Sequence, residues 1–499
     1  MAASGAGAAA SGRVGTAASG QAGTADSGDG PSGPLSETEA ERLIGAICFK
    51  TGPPGAVGAE LEWLVTDRGD RSLPVPFDKI RRVLEPLERP GALPGAGLLT
   101  QEPGGQVELS TVPAPTLSAC VAAAAADLAV LREAFIGAGL ELSGSGLDPY
   151  RPPRRVLSLP RYAAMEAYLD RRSHWGRLMM CSTASVQVCV DAGLDVGSAD
   201  GYAFRWRLMH ALGPVVVAAF ANSPLRRGRP TGWKCTRQVV WSRLDPGRTR
   251  APSGAEPGRS LTAPAGSPRA EWVRYAMNAQ VLCVRRPDGR PWSAPAGLTF
   301  RDWLRRPGRA DLATAPDRPD AGDLAYHLST LFPPVRPRGH LELRMIDAQR
   351  DDGWIVPVAL VAALADDPVA ADAAMAAAEP VWHDAAALPG GDRLAPADRR
   401  SPWLRAARLG LADPALAKAA SECFTAACAS LARSGASAQV TGAVADFADR
   451  YVSRGRCPAD DLIEAGPDAL AAGQRESPPA GRWPCQPTRR PARQPTHHD

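Results

Sequence analysis

Four short segments of this chain alternate between apolar and polar residues with a period of two, and this pattern limits the possible folds more than any other feature. They are residues 57–65, 106–111, 182–191 and 340–346. Successive side chains of a β-strand point to opposite faces, so residues i and i+2 share a face. Each segment is therefore predicted to be a strand with one apolar face, formed for example by Leu61 and Trp63 or by Leu341 and Leu343.

The other face of these strands carries carboxylates, amides and a guanidinium. Its residues are Glu60, Glu62, Gln106, Glu108, Ser185, Gln187, Asp191, Glu342 and Arg344. Antiparallel sheets often expose one face to water, and each strand taken alone also fits that interpretation. Strands disfavour Glu and Gln, however, and here four Glu residues occupy three strands with hardly a counter-charge. The residue types therefore favour a functional face over a merely solvated one.

If the strands are neighbours, their glutamates converge. Unpaired carboxylates that lie close together repel each other and resist ionisation. A divalent cation relieves this conflict, and ligand sets made only of oxygen suit magnesium or manganese. Magnesium bound by few protein ligands usually also holds substrate phosphates. The pattern therefore predicts a metal–nucleotide site on an antiparallel sheet.

Basic residues that could meet such phosphates cluster in residues 231–249, where two tryptophans are interleaved with them. They are Lys234, Arg237, Arg243 and Arg248. We interpret this segment as a loop that closes over a triphosphate. Arg344 shares a face with Glu342, so it either stabilises a transferring phosphoryl group or forms a salt bridge to a neighbouring Glu. The pattern G-x-x-x-x-G-K-[ST] does not occur in the sequence, which excludes a P-loop.

The order of elements predicts an α+β fold in one large unit. Residues 1–36 contain little except Ala, Gly, Ser and Thr, and residues 473–499 are rich in Pro and Arg. Both ends are predicted to be disordered tails, because they hold too few bulky apolar residues to offset the entropy of ordering. Residues 37–472 are predicted to form a single catalytic domain, in which residues from about 353 to 455 are helical and rich in Ala.

Charge and hydropathy narrow the classes of partner. A net charge of +4 on 499 residues gives no electrostatic argument for a nucleic-acid partner. No apolar stretch reaches 18 residues without a charge or a Pro, so no membrane span is expected. The N-terminus lacks the apolar region of a signal peptide, and ten Cys without a secretion signal predict reduced thiols. A cytoplasmic protein is expected.

Eight runs of sequence, in this order, carry a resemblance to a known family. They are residues 58–62 (GAELE), 102–110 (EPGGQVELS), 179–188 (MMCSTASVQV), 221–225 (ANSPL), 237–241 (RQVVW), 244–249 (LDPGRT), 327–336 (HLSTLFPPVR) and 341–344 (LELR). Together they resemble the glutamate–cysteine ligases, specifically the plant-like branch and its actinobacterial relatives in ergothioneine synthesis. Each run alone is a weak signal, but their joint occurrence is specific.

This resemblance implies an antiparallel sheet of about six strands, curved into a funnel like the catalytic domain of glutamine synthetase and covered by helices. It implies that ATP couples the γ-carboxylate of L-glutamate to the amine of L-cysteine through a γ-glutamyl phosphate, for ergothioneine or another low-molecular-weight thiol. By analogy, magnesium or manganese would be held by Glu60, Glu62, Glu108, Gln187 and Glu342. The catalytic arginines, in contact with glutamate or the γ-phosphoryl group, would be Arg237 and Arg344. ATP or substrate would be bound by Asn222, Trp241, Asp245, Arg248 and Thr249.

Three other functions remain open from the sequence. The first is a ligase that joins glutamate to a different amine acceptor at the same ATP and magnesium site. The second is a two-metal phosphoesterase built on the same carboxylates, which would hydrolyse a phosphate ester without glutamate. The third is a pseudoenzyme that only binds nucleotide, and the intact set of Glu and Arg residues counts against it.

Overall fold

The structure, a computed structural model, describes residues 33–257, 267–286, 289–305, 318–384, 388 and 395–471. Of the two predicted tails, only residues 33–36 lie within these ranges, and Ser36 caps the first helix. Its side chain accepts a hydrogen bond from the backbone N–H of Glu39, and the carboxylate of Glu39 accepts one from the backbone N–H of Ser36.

The strands are bounded as follows: β1 Val57–Asp67, β2 Leu98–Gln101, β3 Val107–Ser110, β4 Leu140–Ser143, β5 Ser185–Asp191, β6 Leu225–Arg226, β7 Arg229–Pro230, β8 Val335–Pro337 and β9 His340–Asp347. The helices that lie among the strands are α1 Glu37–Cys48, α2 Phe77–Leu84, α3 Leu117–Gly137, α4 Pro160–Asp170, α5 Trp175–Ser182, α6 Tyr202–Ala211, α7 Gly213–Ala219, α8 Thr236–Ser242, α9 Pro246–Thr249, α10 Pro268–Asn278, α11 Phe300–Arg305 and α12 Ala321–Leu328.

The chain after β9 is helical, as the sequence predicted. Its helices are α13 Ile355–Ala365, α14 Pro368–His383, α15 Pro396–Arg399, α16 Pro402–Leu409, α17 Pro414–Arg433, α18 Ala438–Arg450 and α19 Pro458–Ala471, with short 3-10 helices at Gly410–Ala412 and Val452–Arg454. Every residue of α13 is buried, and this helix packs against β5. The helical part therefore covers the apolar face of the sheet.

Seven strands form one antiparallel sheet. Six of them lie in the order β2-β3-β1-β5-β9-β8, and β4 pairs with the far end of β1. The predicted α+β class, with an antiparallel sheet covered by helices, is confirmed. The predicted count of about six strands corresponds to the continuous path, and β4 is the additional strand.

Three strands of the sheet were not predicted. No strand was predicted for residues 98–101, 140–143 or 335–337, which form β2, β4 and β8. These strands have only three or four residues. So few residues give no measurable alternation, and β8 also begins directly after Pro334 and ends with Pro337, and prolines are typical of loops.

Two expectations about the chain as a whole can be compared with the described residues. Within them, no helix is long and apolar enough to cross a membrane. Eight described cysteines have free thiols, in agreement with the expectation of reduced thiols, whereas Cys428 is disulfide-bonded and departs from it.

The turn between β2 and β3 is fixed by a close approach of backbones. A Cβ atom added to Gly104 would lie 2.3 Å from the carbonyl oxygen of Cys181 at the end of α5. Gln106 strengthens the same contact, because its amide nitrogen donates to the carbonyl oxygens of Met180 and Thr183 at 3.2 and 3.0 Å. The turn thus sets the position of β3, which carries Glu108.

We expect Gly104→Ala to lower the free energy of unfolding by about 1–3 kcal/mol, because the new methyl group overlaps backbone that has no room to move. Urea denaturation checks this value. Gly137→Ala is the matched control, since a Cβ at the end of α3 meets nothing within 4 Å. That change should stabilise the protein slightly, by up to about 1 kcal/mol. Equal unfolding free energies for the two variants would contradict the packing argument.

Candidate functional site

The polar residues of the central strands form rows across the sheet, as the alternation predicted. In one row Glu60 of β1 lies opposite Gln187 of β5 and Ser110 of β3. In the next row Glu62 lies opposite Glu108. Like charges directly opposite each other on neighbouring strands are destabilising, so this second row is one that a solvated structural sheet would avoid.

A cavity lies on this face of the sheet. From the strands, and from Gln106 directly before β3, it is lined by Glu60, Glu62, Leu98, Thr100, Gln106, Glu108, Ser110, Ser185, Gln187, Arg336 and Arg344. From helices and loops it is lined by Glu102, Pro103, Arg161, Tyr162, Met165, Met179, Met180, Thr183, Arg237, Trp241, Ser329, Phe332 and Arg338. The structure thus brings together seven residues of the sequence-predicted set: Glu60, Glu62, Glu108, Gln187, Arg237, Trp241 and Arg344. Of these, Glu60 and Arg344 are 284 residues apart in the sequence.

The carboxylates of β1 and β3 have few partners. Glu62 accepts hydrogen bonds from the backbone N–H of Ser185 at 2.9 Å and from the amide of Gln187 at 2.8 Å. Glu108 accepts from the hydroxyls of Thr100 at 2.7 Å and Ser110 at 3.3 Å. Within the described part of the chain, no hydrogen bond or ion pair involves the carboxylate of Glu60.

These surroundings make the charged form of two glutamates costly. Burial raises the pKa of Glu60 to about 7, and the negative charge of Glu342 adds to that effect. Burial also raises the pKa of Glu108 well above its ordinary value, with further contributions from the charges of Glu60, Glu102 and Glu62. A positive charge brought to this end of the cavity would therefore be strongly favoured.

Glu342 is different, and here the expectation of a carboxylate with hardly a counter-charge is wrong. Arg336 of β8 lies directly opposite Glu342 and donates from Nη2 to both of its carboxylate oxygens at 2.8 and 3.0 Å. Arg344 also donates to Glu342, and Arg338 lies 3.6 Å away. Although burial opposes ionisation, these guanidinium groups hold the pKa of Glu342 well below its usual range. A carboxylate already enclosed by arginines is poorly suited to bind a metal ion.

Gln187 is likewise engaged at both ends of its amide. Its Nε2 donates to Glu62, and its Oε1 accepts from Arg344. In the residues that the structure describes, no three His, Cys, Asp or Glu side chains form a ready-made cluster for a metal ion. The predicted five-residue ligand set therefore separates into carboxylates of β1 and β3 and an arginine-bound pair, Gln187 and Glu342.

Arg237 and Arg344 retain hydrogen-bonding capacity toward the cavity. Arg237 donates from Nη2 to the backbone carbonyl of Arg344 at 2.7 Å, and its guanidinium lies over the ring of Trp241, 4.5 Å from the centroid. Among the described residues, no protein group accepts a hydrogen bond from Nη1 of Arg237 or from Nη2 of Arg344. Two adjacent guanidinium groups with unpaired N–H donors are suited to bind an anion.

Four residues predicted to bind ATP or substrate do not line this cavity. Asn222 is fully buried and donates from Nδ2 to the carbonyl oxygens of Gly144 and Ala348 at 2.7 and 2.8 Å. Arg248 is also fully buried and donates to the carbonyl oxygens of Thr330 and Gln280. Both side chains satisfy backbone acceptors of loops that fold back on each other, so the structure assigns them a supporting position.

Asp245 and Thr249 act in the same way on α9. The carboxylate of Asp245 caps this helix by accepting from the backbone N–H of Gly247 at 3.1 Å, and it also accepts from the hydroxyl of Tyr168. The hydroxyl of Thr249 donates to the carbonyl oxygens of Trp241 and Asp245 at 3.2 and 3.0 Å. These contacts fix the loop behind Trp241, and only Trp241 itself reaches the cavity.

Sequence reasoning missed several residues of the cavity. Arg336 and Arg338 lie on and after β8, a strand that was not recognised, although Arg336 ends one of the quoted runs. Thr100 lies on the unrecognised β2. Arg161 comes from α4, where it donates from Nη1 to the hydroxyl of Ser329 at 3.0 Å. Recognition of residues 335–337 as a strand would have made Arg336 a candidate for the polar face, whereas its register opposite Glu342 comes only from the structure.

The fold and the cavity define a class of protein. In the described part of the chain, Glu60, Glu62 and Glu108 make no ion pair, and they lie beside Arg237 and Arg344, each of which keeps an N–H group without an acceptor. Such a buried sheet face is suited to an enzyme that binds anionic substrates together with a cation. The solvated-face alternative is excluded, because Glu108, Gln187 and Glu342 are buried.

Comparison with known proteins gives the family. The model of glutamate-cysteine ligase family 2 (GCS2) matches residues 56–480. Glutamate–cysteine ligase EgtA of Mycobacterium tuberculosis strain H37Rv is 40% identical over 429 residues, which cover 85% of this chain and 89% of that protein. EgtA of Mycolicibacterium smegmatis is 40% identical over 86% of this chain and 92% of its own. This chain belongs to the glutamate–cysteine ligase family.

More distant proteins are similar over parts of the chain. The chloroplastic glutamate–cysteine ligase of Nicotiana tabacum is 30% identical over 52% of this chain and 47% of its own. A crystal structure of glutamate–cysteine ligase from Francisella tularensis in complex with AMP covers 84% of this chain and 87% of its own, with 11% identity and a TM-score of 0.46.

The raised pKa of Glu60 predicts how stability changes with pH in metal-free protein. A carboxyl group whose pKa is about 7 in the folded state and near its ordinary 4.5 in the unfolded state holds its proton more firmly when folded. The free energy of unfolding should therefore fall as pH rises from about 4.5 to about 7. Glu60→Gln should make this fall shallower, as measured by urea denaturation at a series of pH values.

Glu133→Gln is the matched control for this experiment, because Glu133 is exposed on α3. It should reproduce the wild-type slope. A Glu60→Gln protein whose stability falls as steeply as that of wild type would show that Glu60 does not titrate in this window.

Proposed function

We propose that this chain joins the γ-carboxylate of L-glutamate to the amine of L-cysteine at the expense of ATP, giving γ-glutamylcysteine for ergothioneine or another low-molecular-weight thiol. The observation that carries the proposal is the cavity in which Arg237 and Arg344 face the same space as Glu60, Glu62 and Glu108. Family membership and the similarity to proteins named glutamate–cysteine ligase support it. A cytoplasmic location is part of the proposal.

The chemistry explains why arginines are needed. A carboxylate is a poor acyl donor, so an oxygen of the glutamate γ-carboxylate first attacks the γ-phosphorus of ATP and ADP leaves. The amine of cysteine then attacks the carbonyl carbon of γ-glutamyl phosphate, loses a proton, and inorganic phosphate leaves. Negative charge grows on the phosphoryl oxygens in the first step, and guanidinium groups fixed in advance stabilise it.

Arg344 is well placed for this role because its position is fixed from two sides. It donates from Nη1 to Glu342 and to Gln187, which leaves Nη2 free of protein partners in the described chain. Arg237 is held against the backbone of Arg344 and the ring of Trp241. We propose that these two residues contact glutamate or the γ-phosphoryl group, so that no covalent nucleophile from the protein is required.

Magnesium, with manganese as an alternative, fits the carboxylates of β1 and β3. We propose that Glu60, Glu62 and Glu108 hold it, because they offer only oxygen donors and because, among the residues described, the Glu60 carboxylate makes no hydrogen bond or ion pair. Magnesium usually takes few protein ligands and completes its shell with phosphate oxygens and water, so no three-residue cluster needs to be preformed. When bound, the ion would neutralise these carboxylates and polarise the phosphate oxygens of ATP.

The direct test is to identify the product. Full-length protein incubated with ATP, L-glutamate, L-cysteine and Mg²⁺ should give γ-glutamylcysteine by mass spectrometry, with one ADP and one phosphate for each peptide bond. Removal of the metal with EDTA should abolish product, and Mn²⁺ should restore it. Parallel reactions with other amines test the alternative acceptor. Phosphate release no faster with cysteine than without any acceptor would contradict the assignment of cysteine.

The role of Arg344 in phosphoryl transfer gives a second prediction. Arg344→Lys keeps the charge but cannot contact Glu342, Gln187 and a phosphoryl group from one planar fork. We expect kcat to fall by about 100-fold or more, as for loss of one group that stabilises transition-state charge, with a smaller change in KM for ATP. Steady-state kinetics of phosphate release measure both constants.

Arg338→Lys is the control for this variant. Arg338 also lines the cavity, but it lies 3.6 Å from Glu342 and its side chain is 25% exposed. The kcat of Arg338→Lys should change much less than that of Arg344→Lys. Near-normal turnover of Arg344→Lys would place the phosphoryl group elsewhere in the cavity.

A further inference from the structure

Asp347, the last residue of β9, lies on the polar face of the sheet because the strand contains a β-bulge. Val188 of β5 pairs with Leu343, and Val186 pairs with Ile346, so β9 has one more residue than β5 in this interval. Simple alternation would place Asp347 with Leu341 and Leu343 on the apolar face. The extra residue instead brings Asp347 opposite Ser185, which lines the cavity.

The carboxylate of Asp347 is fully buried and holds the segment that leads into α8. Its Oδ2 accepts from the backbone N–H of Asn222 at 2.9 Å and from the hydroxyl of Ser223 at 2.7 Å. Its Oδ1 accepts from the thiol of Cys235 at 3.3 Å. Three donors from two stretches of the same loop therefore meet on one side chain.

Ser223 connects this carboxylate to Arg237. While its hydroxyl donates to Asp347, the oxygen of that hydroxyl accepts from the backbone N–H of Arg237 at 3.1 Å. The guanidinium of Arg237 in turn reaches the carbonyl oxygen of Arg344, three residues before Asp347 on β9. Arg237 is thus attached to the same strand at its backbone, through Ser223, and at its side chain.

Charge and packing make this arrangement specific for an aspartate. Asp347 and Arg237 attract each other electrostatically, in surroundings where both are buried. A Cβ added to Gly146 would lie 2.4 Å from Cγ of Asp347, so the carboxylate has no space to shift toward that loop. Fixed position and fixed charge are what a group needs in order to orient a neighbouring arginine.

We propose that Asp347 is a positioning residue for the ligase reaction, which sets the orientation of Arg237 in the cavity through Ser223. The inference rests on the proposed function of Arg237, and it adds a residue that touches neither substrate nor metal. Asp347 keeps Nη1 of Arg237, for which the described residues offer no acceptor, directed at the anion. Loss of the Asp347 carboxylate should therefore lower activity only when Arg237 is present.

A double-mutant cycle in the full-length protein tests this dependence. Asp347→Asn should lower kcat/KM for glutamate by about 10- to 100-fold, in line with the effect of displacing a catalytic group by about an ångström. In an Arg237→Lys background the same change should cost less than about threefold, because the group that Asp347 positions is already lost. Ser223→Ala should show the same dependence on Arg237 with a smaller loss of kcat/KM. It replaces Asp347→Asn in the cycle if that variant does not fold.

Asp127→Asn is the matched control. Asp127 is also a buried aspartate that accepts from backbone N–H groups, but its partners are Gly95 and Gly97, and neither of them lines the cavity. Its effect on kcat/KM should be small and should multiply with that of Arg237→Lys. Effects of Asp347→Asn and Arg237→Lys that also multiply would overturn the proposal, since they would show a general structural role.

A crystal structure of Asp347→Asn gives a readout that does not depend on activity. The guanidinium of Arg237 should leave the carbonyl oxygen of Arg344 and the ring of Trp241 in this variant, and it should stay there in Asp127→Asn. An unchanged Arg237 would overturn the positioning role. Failure of wild-type protein to make γ-glutamylcysteine would instead count against the proposed function, while the position of Arg237 would still decide this inference.

Discussion

The placement of charge on a buried sheet face is the constraint on which the rest of this structure depends. Taking carboxylates out of water is costly unless a partner compensates for the lost hydration. On β9 the partner is built in, because Arg336 and Arg344 enclose Glu342. On β1 the carboxylate of Glu60 faces the cavity with no such partner in the described chain. The sheet therefore has a side where arginines compensate the carboxylate and a side where an added cation would be favoured, and only β5 lies between β1 and β9.

This asymmetry makes the two sides of the cavity suited to groups of opposite charge. At the β9 side, guanidinium groups have N–H donors that find no acceptor among the described residues and can bind an anion. At the β1 side, carboxylate oxygens can bind a cation. A nucleotide triphosphate with its metal ion carries both kinds of charge in one molecule. The arrangement is thus suited to orient such a substrate along the sheet, and the helices on the apolar side keep the strands from moving apart.

Much of this could be predicted from the sequence, since long strands reveal their faces. The period of two in β1 was enough to place Glu60 and Glu62 on one face and Leu61 and Trp63 in the core. Strands of three or four residues give no such period, so Arg336 on β8 was missed and Glu342 was wrongly expected to lack a counter-charge.

Two other features depend on tertiary contacts that no local pattern encodes. The bulge in β9 changes the face on which Asp347 lies, although the sequence alternates without interruption up to Met345. Asn222 and Arg248 were expected to bind ligands because of the resemblance to the ligase family, and Arg248 also because it belongs to the basic cluster of residues 231–249. They are buried instead against backbone carbonyl oxygens of distant segments, a need that becomes visible only when the loops are folded together.

The branching of the sheet at β1 has a consequence for how this family can vary. β1 pairs with β3 and β5 along its first half and with β4 along its second half, so three partners fix its register at once. A slip by one residue would exchange Glu60 and Glu62 for Leu61 and Trp63 and would break all three pairings together. Insertions and deletions should therefore be tolerated in the loops around β1 but not within it, which makes this strand the fixed reference against which the rest of the cavity can change.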